Sequence, residues 1–165
     1  MTNAGEVAAH TPLFLDANIF LYFLLRDERY GDRCEALLSR VETGELIGFT
    51  DPLVLSETLY LFIKTHVVAA HRLRPDQFLS FSKSHPQATA GVDLSVVMRL
   101  FALEALRVVS PPHHVALELW PLVHRYGLLP NDAYHLITMR FLNLVHLASN
   151  DADFARVPDL IIWKP

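Results

Sequence analysis

Five carboxylates stand where strand or helix patterns begin or end, each set in apolar sequence. They are Asp16 in Phe14-Leu15-Asp16-Ala17-Asn18, Glu57 in Leu55-Ser56-Glu57-Thr58, Asp132 in Pro130-Asn131-Asp132-Ala133, and Asp151 and Asp153 in Ser149-Asn150-Asp151-Ala152-Asp153-Phe154. Ionised groups belong in water unless something offsets the lost solvation. A hard divalent cation does this for a group of carboxylates, because it takes oxygen ligands and cancels their repulsion. The sequence therefore points to an acidic metal pocket assembled from four distant segments.

Glu57 discriminates best. On a helix its neighbours one turn away are Leu53, Val54, Tyr60 and Leu61, a stripe expected to face the core. Charged residues are rarely buried without a partner, so Glu57 is expected to be committed to a buried partner; a margin position reaching water is the competing reading. The other acids have ordinary explanations when taken singly. Asp132 would complement the positive end of a helix, Asp151 and Asp153 would cap a turn at Asn150, and Asp16 would start a helix with Asn18 as its cap. Their joint order carries more information than any one placement.

The elements that must position these acids alternate. Leu13-Phe14-Leu15 reads as a buried strand, followed by helices from Asn18 to about Arg26 and from Tyr30 to Glu42. Leu46-Ile47-Gly48-Phe49 is a second strand. Asp51 and Pro52 then form a helix start, acid at the cap and proline in the first turn, for a helix reaching about Ala70. Pro75 and Asp76 suit a short helix, and Ser84, Pro86 and Gly91 read as loop. Asp93 caps a helix expected to run through Leu106, with a strand at Arg107-Val108-Val109. Pro111 and Pro112 introduce one helix ending near Tyr126-Gly127, and another runs from Asn131 to about Asn143. Leu144 to Ala148 and Leu160-Ile161-Ile162 complete five strands. Strands separated by helices imply a mainly parallel sheet covered on both faces. Ligands of such sheets gather beyond the carboxyl ends of the strands, where Asp16 and Asp151 fall.

Composition narrows the class. With 165 residues, 52% hydrophobic and 19% charged, the chain reads as one folded domain, without repeats or low-complexity tracts. The single cysteine, Cys34, excludes an internal disulfide and a thiolate cage, in keeping with a reducing cytoplasm. Met1 to His10 lacks a basic region followed by an apolar stretch, so no signal peptide is expected. The apolar runs Leu13–Leu25 and Leu53–Ile63 are broken by Asp16 and Glu57 and are shorter than the ~20 residues a bilayer span needs, so a soluble protein is expected. A net charge of −4 argues against a broad polyanion-binding surface. Basic residues gather only in Lys64 to Arg74, as an anionic-ligand rim or an ordinary solvated helix end.

The ordered motifs around Asp16, Glu57, Asp132 and Asp151–Asp153 resemble the PIN-domain family, and most of all the VapC-type ribonuclease toxins of prokaryotic toxin–antitoxin pairs. The resemblance spans Leu13 to Trp163 and is most specific in Asn131-Asp132-Ala133 and Asp151-Ala152-Asp153-Phe154. It implies a PIN-like three-layer α/β sandwich with a mainly parallel central sheet flanked by helices, residues 12–165 forming the domain and 1–11 an N-terminal extension. It implies that Asp16, Glu57, Asp132 and Asp151 are catalytic metal ligands for Mg²⁺ or Mn²⁺, with Asp153 an additional metal-binding acid. Asn18 and Ser149 match polar positions that would orient the ligating carboxylates. The implied activity is metal-dependent endonucleolytic hydrolysis of RNA in the cytoplasm, with a VapB-type antitoxin as partner and a homodimer as assembly.

Other chemistries find less support. Nine histidines show no His-Glu-x-x-His and no zinc spacing. His135, one turn after Asp132, reads first as a surface or core-edge histidine. Cys34 has no nucleophile motif around it. A receiver-type phosphotransfer pocket would need adjacent acids at one strand end, where Asp16 is followed by Ala17 and Asn18. A catalytically silent PIN-fold module binding RNA or protein is the alternative, opposed by retention of every acidic position.

Overall fold

The apolar runs of the sequence become the strands of one sheet. The computed structural model describes residues 2–165. In chain order its elements are β1 (Thr2–Asn3), β2 (Pro12–Leu15), α1 (Ala17–Leu24), α2 (Gly31–Glu42), β3 (Ile47–Thr50), α3 (Pro52–Ala70), α4 (Phe78–Ser84) and α5 (Pro86–Ala90). They continue with α6 (Ser95–Phe101), β4 (Leu106–Val108), α7 (His113–Ala116), α8 (Leu119–Tyr126), α9 (Pro130–Phe141), β5 (His146–Ala148) and β6 (Ile161–Lys164). The strands lie in the order β1-β6-β5-β2-β3-β4, and every pairing is parallel.

β2 is the central strand. Leu13, Phe14 and Leu15 are all buried, as a parallel strand covered on both faces requires. Leu15 points toward Val41 of α2, since both crowd the same side of Gly48. Phe14 points the other way and packs on the His135 ring of α9, 5.9 Å between centroids. Helices α2 and α3 both pack on α1, and α7 and α8 on α9, with a second apolar cluster of Leu122, Tyr126, Leu136 and Val157 around α8 and α9. The result is a three-layer α/β sandwich. Chain order reverses at β2, which leads to β3 and β4 on one side and lies against β5 on the other. Such a reversal opens a crevice at the carboxyl ends of the two strands.

Several boundaries differ from the sequence reading, each for a local reason. The sheet has a sixth strand, because Thr2–Asn3 pairs with β6 while Ala4 and Val7 join the main core. The segment set apart as an extension is thus woven into the sheet. Pro86 begins a one-turn helix where a loop was expected. The helix expected to run to Leu106 ends at Phe101, and Leu106 already belongs to β4. The single helix expected after Pro112 is split into α7 and α8, since the Pro121 ring would clash with the Leu117 carbonyl in a continuous helix. α3, with 19 residues and mean hydropathy 1.4, has the length and composition of a membrane span, and it packs against α1 through a stripe that includes Val54 and Phe62.

Gly48 is required by packing. A Cβ there would stand 2.9 Å from Val41 Cγ1, 3.2 Å from Leu106 Cδ1 and 3.3 Å from Leu15 Cδ1. Gly48→Ala is therefore expected to destabilise the protein by about 1–3 kcal/mol, the usual cost of an extra carbon in a packed core. Urea unfolding checks this as a lower midpoint at unchanged slope.

Candidate metal centre

Asp16 follows β2 directly and caps α1. Its Oδ1 accepts from the Ala17 N–H at 2.7 Å. Its Oδ2 accepts from Asn18 Nδ2 at 2.5 Å and from Ser149 Oγ at 2.6 Å, and the side chain is almost wholly buried at 7% exposure. Asn18 Oδ1 in turn accepts from the Asn150 N–H, and Ser149 Oγ accepts from the Asp151 N–H. The loop after β5 is thereby wrapped onto the end of β2, and both polar residues singled out in the sequence hold Asp16.

The two acids of that loop are divided. Asp151 is half-buried, and its Oδ1 accepts from the Asp153 N–H at 2.7 Å, while Lys164 Nζ donates to the carbonyls of Asn150 and Asp151. Asp153 starts a 3-10 turn and pairs with Arg156 at 2.7 Å, whose other guanidinium nitrogen donates to the Gly127 carbonyl. Asp153, counted among the ligands from sequence, has an oxygen committed to this ion pair.

Glu57 and Asp132 approach from α3 and the first turn of α9. A cleft of about 380 Å³ lies between these helices, lined by Leu53, Ser56, Glu57, Tyr60, Leu61 and Asn131. Glu57 is half-buried at the margin of α3. Its buried stripe is Val54, Thr58, Phe62 and Val67, and Tyr60 is 42% exposed, so the core-facing stripe read from the sequence is displaced by one position. Three larger depressions, up to about 1030 Å³, lie along α1 to α6 and contain none of the five acids. The Lys64 to Arg74 cluster begins two turns beyond Glu57, about 10 Å along α3 at the helical rise, and runs away from the acids to the end of that helix.

The acids act on one another. Burial raises the Asp16 carboxyl above the ordinary range, against the hydrogen bond from Ser149. Burial also raises Glu57, followed by the charge of Asp16 and then those of Asp132 and Asp151. Asp132 is raised by burial first, then by Asp151 and Asp16. Among the described residues, no lysine or arginine forms an ion pair with Asp16, Glu57, Asp132 or Asp151. Nor does any group of three His, Cys, Asp or Glu side chains among the described residues stand in an arrangement that would hold an ion as it is. Mutually repelling oxygens without a basic side-chain partner are the donor set a hard divalent cation takes, so the chemistry of these residues fits such an ion.

Sequence reasoning missed the group beneath them. Asp51 caps α3 through Oδ1, which accepts from the N–H groups of Leu53 at 2.9 Å and Val54 at 3.0 Å. Its Oδ2 lies 2.7 Å from His135 Nδ1 and accepts from Thr138 Oγ1 at 3.3 Å. Asp51 is 0% and His135 1% exposed, and His135 Nε2 has no partner among the described residues. Burial lowers the affinity of this imidazole for its proton, but the hydrogen bond to Asp51 and the charges of Asp51, Asp16 and Glu57 outweigh it and raise its pKa. The available signal was the spacing of His135 and Thr138, one turn apart on a face shared with the core. Cys34 lies in the core, where burial and then Asp27 push its thiol up to about 12, leaving it neutral and unreactive.

The raised carboxyl of Glu57 sets a pH trend. A carboxyl whose folded pKa exceeds its unfolded value binds its proton more tightly in the folded state. That contribution is most favourable below the ordinary value of 4.5 and is lost as pH rises through the raised folded value. Glu57→Gln is therefore expected to gain stability relative to the wild type as pH rises from 4 to 8 in EDTA. Paired thermal melts check this, and a constant difference across that range contradicts it.

Comparisons with known proteins identify the family. The PIN domain family matches residues 13–160. Ribonuclease VapC2 of Methanocaldococcus jannaschii is 31% identical over 151 residues, covering 91% of each chain. Among solved structures, the sarcin-ricin loop cleaving toxin VapC20 of Mycobacterium tuberculosis aligns with a TM-score of 0.58 at 15% identity, over 88% of this chain and 95% of that one. VapBC2 of Rickettsia felis, bound to a promoter DNA fragment, aligns at 0.53 and 19% identity over 93% and 98%. A toxin–antitoxin complex from Klebsiella pneumoniae gives 0.53 and 19% over 90% and 95%. The structural likenesses speak for the fold and the family match for membership: this chain belongs to the PIN domain family.

Proposed function

We propose that this protein is a divalent-metal-dependent endoribonuclease and the toxin of a type II toxin–antitoxin pair. The observation that carries the nuclease reading is Asp16: a carboxylate buried at the switch point of a parallel sheet, gripped by Ala17, Asn18 and Ser149, and sharing its field with Glu57, Asp132 and Asp151. The likeness to a protein named ribonuclease VapC2 over nearly the whole chain supports RNA as the substrate.

In this reading Asp16, Glu57, Asp132 and Asp151 hold Mg²⁺ or Mn²⁺. The ion supplies Lewis acidity, activating water and offsetting charge on the attacked phosphate. Asn18 and Ser149 fix the orientation of the Asp16 carboxylate, and the loop after β5 carries Asp151 to it. Asp153 steadies that loop through Arg156. The cleft beside Asn131 gives the RNA backbone access to Glu57. No serine or cysteine nucleophile takes part, in keeping with the neutral, buried Cys34.

The toxin reading adds partners. Two of the structures similar in fold are VapBC or toxin–antitoxin complexes, which supports a VapB-type antitoxin here; a homodimer and a cytoplasmic setting belong to the same proposal. An arginine from the antitoxin is suited to block the pocket, since its planar fork pairs with a carboxylate through two hydrogen bonds. A catalytically silent PIN-fold binding module would share the fold and the antitoxin surface but leave RNA intact.

Asp16→Asn and Asp132→Asn keep side-chain shape and remove charge. Each is expected to lower RNase activity by at least about 100-fold, the upper end of what losing even a ligand's hydrogen-bonding partner costs. The double variant is expected to be no worse than either single one, because such residues act as a unit. Cleavage rates at saturating Mg²⁺ and Mn²⁺ check this, and a wild-type rate in either variant removes that residue from the catalytic set. The toxin role is read separately. Expression of the protein is expected to arrest growth, and the small protein encoded beside it is expected to bind it, inhibit its RNase activity and restore growth. Harmless overexpression of an active RNase, with no bound neighbour, removes the toxin role and leaves the nuclease.

A further inference from the structure

Asp51 and His135 form a buried pair that the chemistry above does not use. Taking two ionisable groups out of water is costly, and such a pair persists only where its geometry is good and its remaining polar atoms are answered. Here Asp51 is fully answered: Leu53 and Val54 take one oxygen, His135 and Thr138 the other. His135 is not, because Nδ1 faces Asp51 while Nε2 is buried without a partner among the described residues.

The pair also stands at a junction. Asp51 begins α3, which carries Glu57 six residues on, and His135 lies on α9, three residues after Asp132. The His135 ring packs on Phe14, two residues before Asp16 on β2. One imidazole thus touches or ties the elements carrying three of the acids.

We propose that His135 is a positioning residue of the metal centre: Asp51 fixes its ring through Nδ1, and Nε2 accepts a hydrogen bond from the water shell of the cation held by Asp16, Glu57 and Asp132. This rests on the metal reading of the site. With a cation offsetting the charge of the acids, the ring is the neutral tautomer that donates Nδ1–H to the Asp51 carboxylate, and Nε2 presents a lone pair. An asparagine at position 51 reverses this. Its oxygen is needed by the Leu53 and Val54 N–H groups, so its amide N–H turns toward Nδ1 and the imidazole hydrogen moves to Nε2. The helix cap survives while the acceptor is lost.

The test is titration of Mn²⁺ into EDTA-stripped full-length protein, followed by the electron paramagnetic resonance signal of free Mn²⁺. His135→Asn keeps an N–H near the Nδ1 position for Asp51 and deletes Nε2. It is expected to bind Mn²⁺ about tenfold more weakly, the lower end of the effect of a ligand-orienting partner. Asp51→Asn is expected to show a similar loss and serves where His135→Asn does not fold. The double variant is expected to be no weaker than the weaker single one, the mark of residues acting through one contact. Melts of the variants in EDTA report any loss of stability separately. Wild-type Mn²⁺ affinity in a folded His135→Asn or Asp51→Asn makes the pair merely structural and overturns the proposal. A wild-type protein that takes up no Mn²⁺ at millimolar concentration overturns the metal reading as well, which separates the two failures.

Discussion

A carboxylate placed at the end of a fully buried central strand loses most of its water, and the surrounding chain has to compensate. At Asp16 that compensation comes from three neighbours, Ala17 N–H, Asn18 Nδ2 and Ser149 Oγ. The last two bind the loop after β5 to the start of α1, closing the crevice where the chain order of the sheet reverses. Hydrogen bonds hold the group but do not cancel its charge, and Glu57, Asp132 and Asp151 add to that charge. The architecture thus concentrates negative charge where solvation is weakest, and a divalent cation relieves both costs together.

Net charge misleads about such a site. The chain carries −4 overall, and among the described residues its basic Lys64 to Arg74 segment forms no ion pair with the acids. In a carboxylate nest the bound ion is the largest local charge and inverts the field that a phosphate meets. Attraction of an RNA backbone to this acidic surface is then a property of the loaded site, not of the chain's composition.

Most of the acidic site was legible because each acid sits at a boundary the sequence announces. Asp16 closes an apolar run, Asp51-Pro52 starts the helix that carries Glu57, and Asn131-Asp132 follows a proline in the first turn of α9. What escaped depended on long-range contacts. The Asp51–His135 bond joins residues 84 apart, and the cap signal at Asp51 accounts for only one of its oxygens. Helical spacing located the apolar side of α3 but not its edge, so Glu57 falls at the margin. β1 is two polar residues, too short for any alternation, and its place is set by pairing with β6. The division between Asp151 and Asp153 depends on Arg156, whose role in the turn no spacing reveals.

The central claim is that RNA cleavage runs through a cation held by these carboxylates. The most direct measurement is cleavage of an RNA substrate by protein stripped with EDTA, dialysed, and then titrated with Mn²⁺ or Mg²⁺. The expected result is no cleavage without metal and a saturable return of cleavage as metal is added, while Ca²⁺ or monovalent salt at equal ionic strength does not substitute. Undiminished cleavage by the stripped protein in the continued presence of chelator contradicts it.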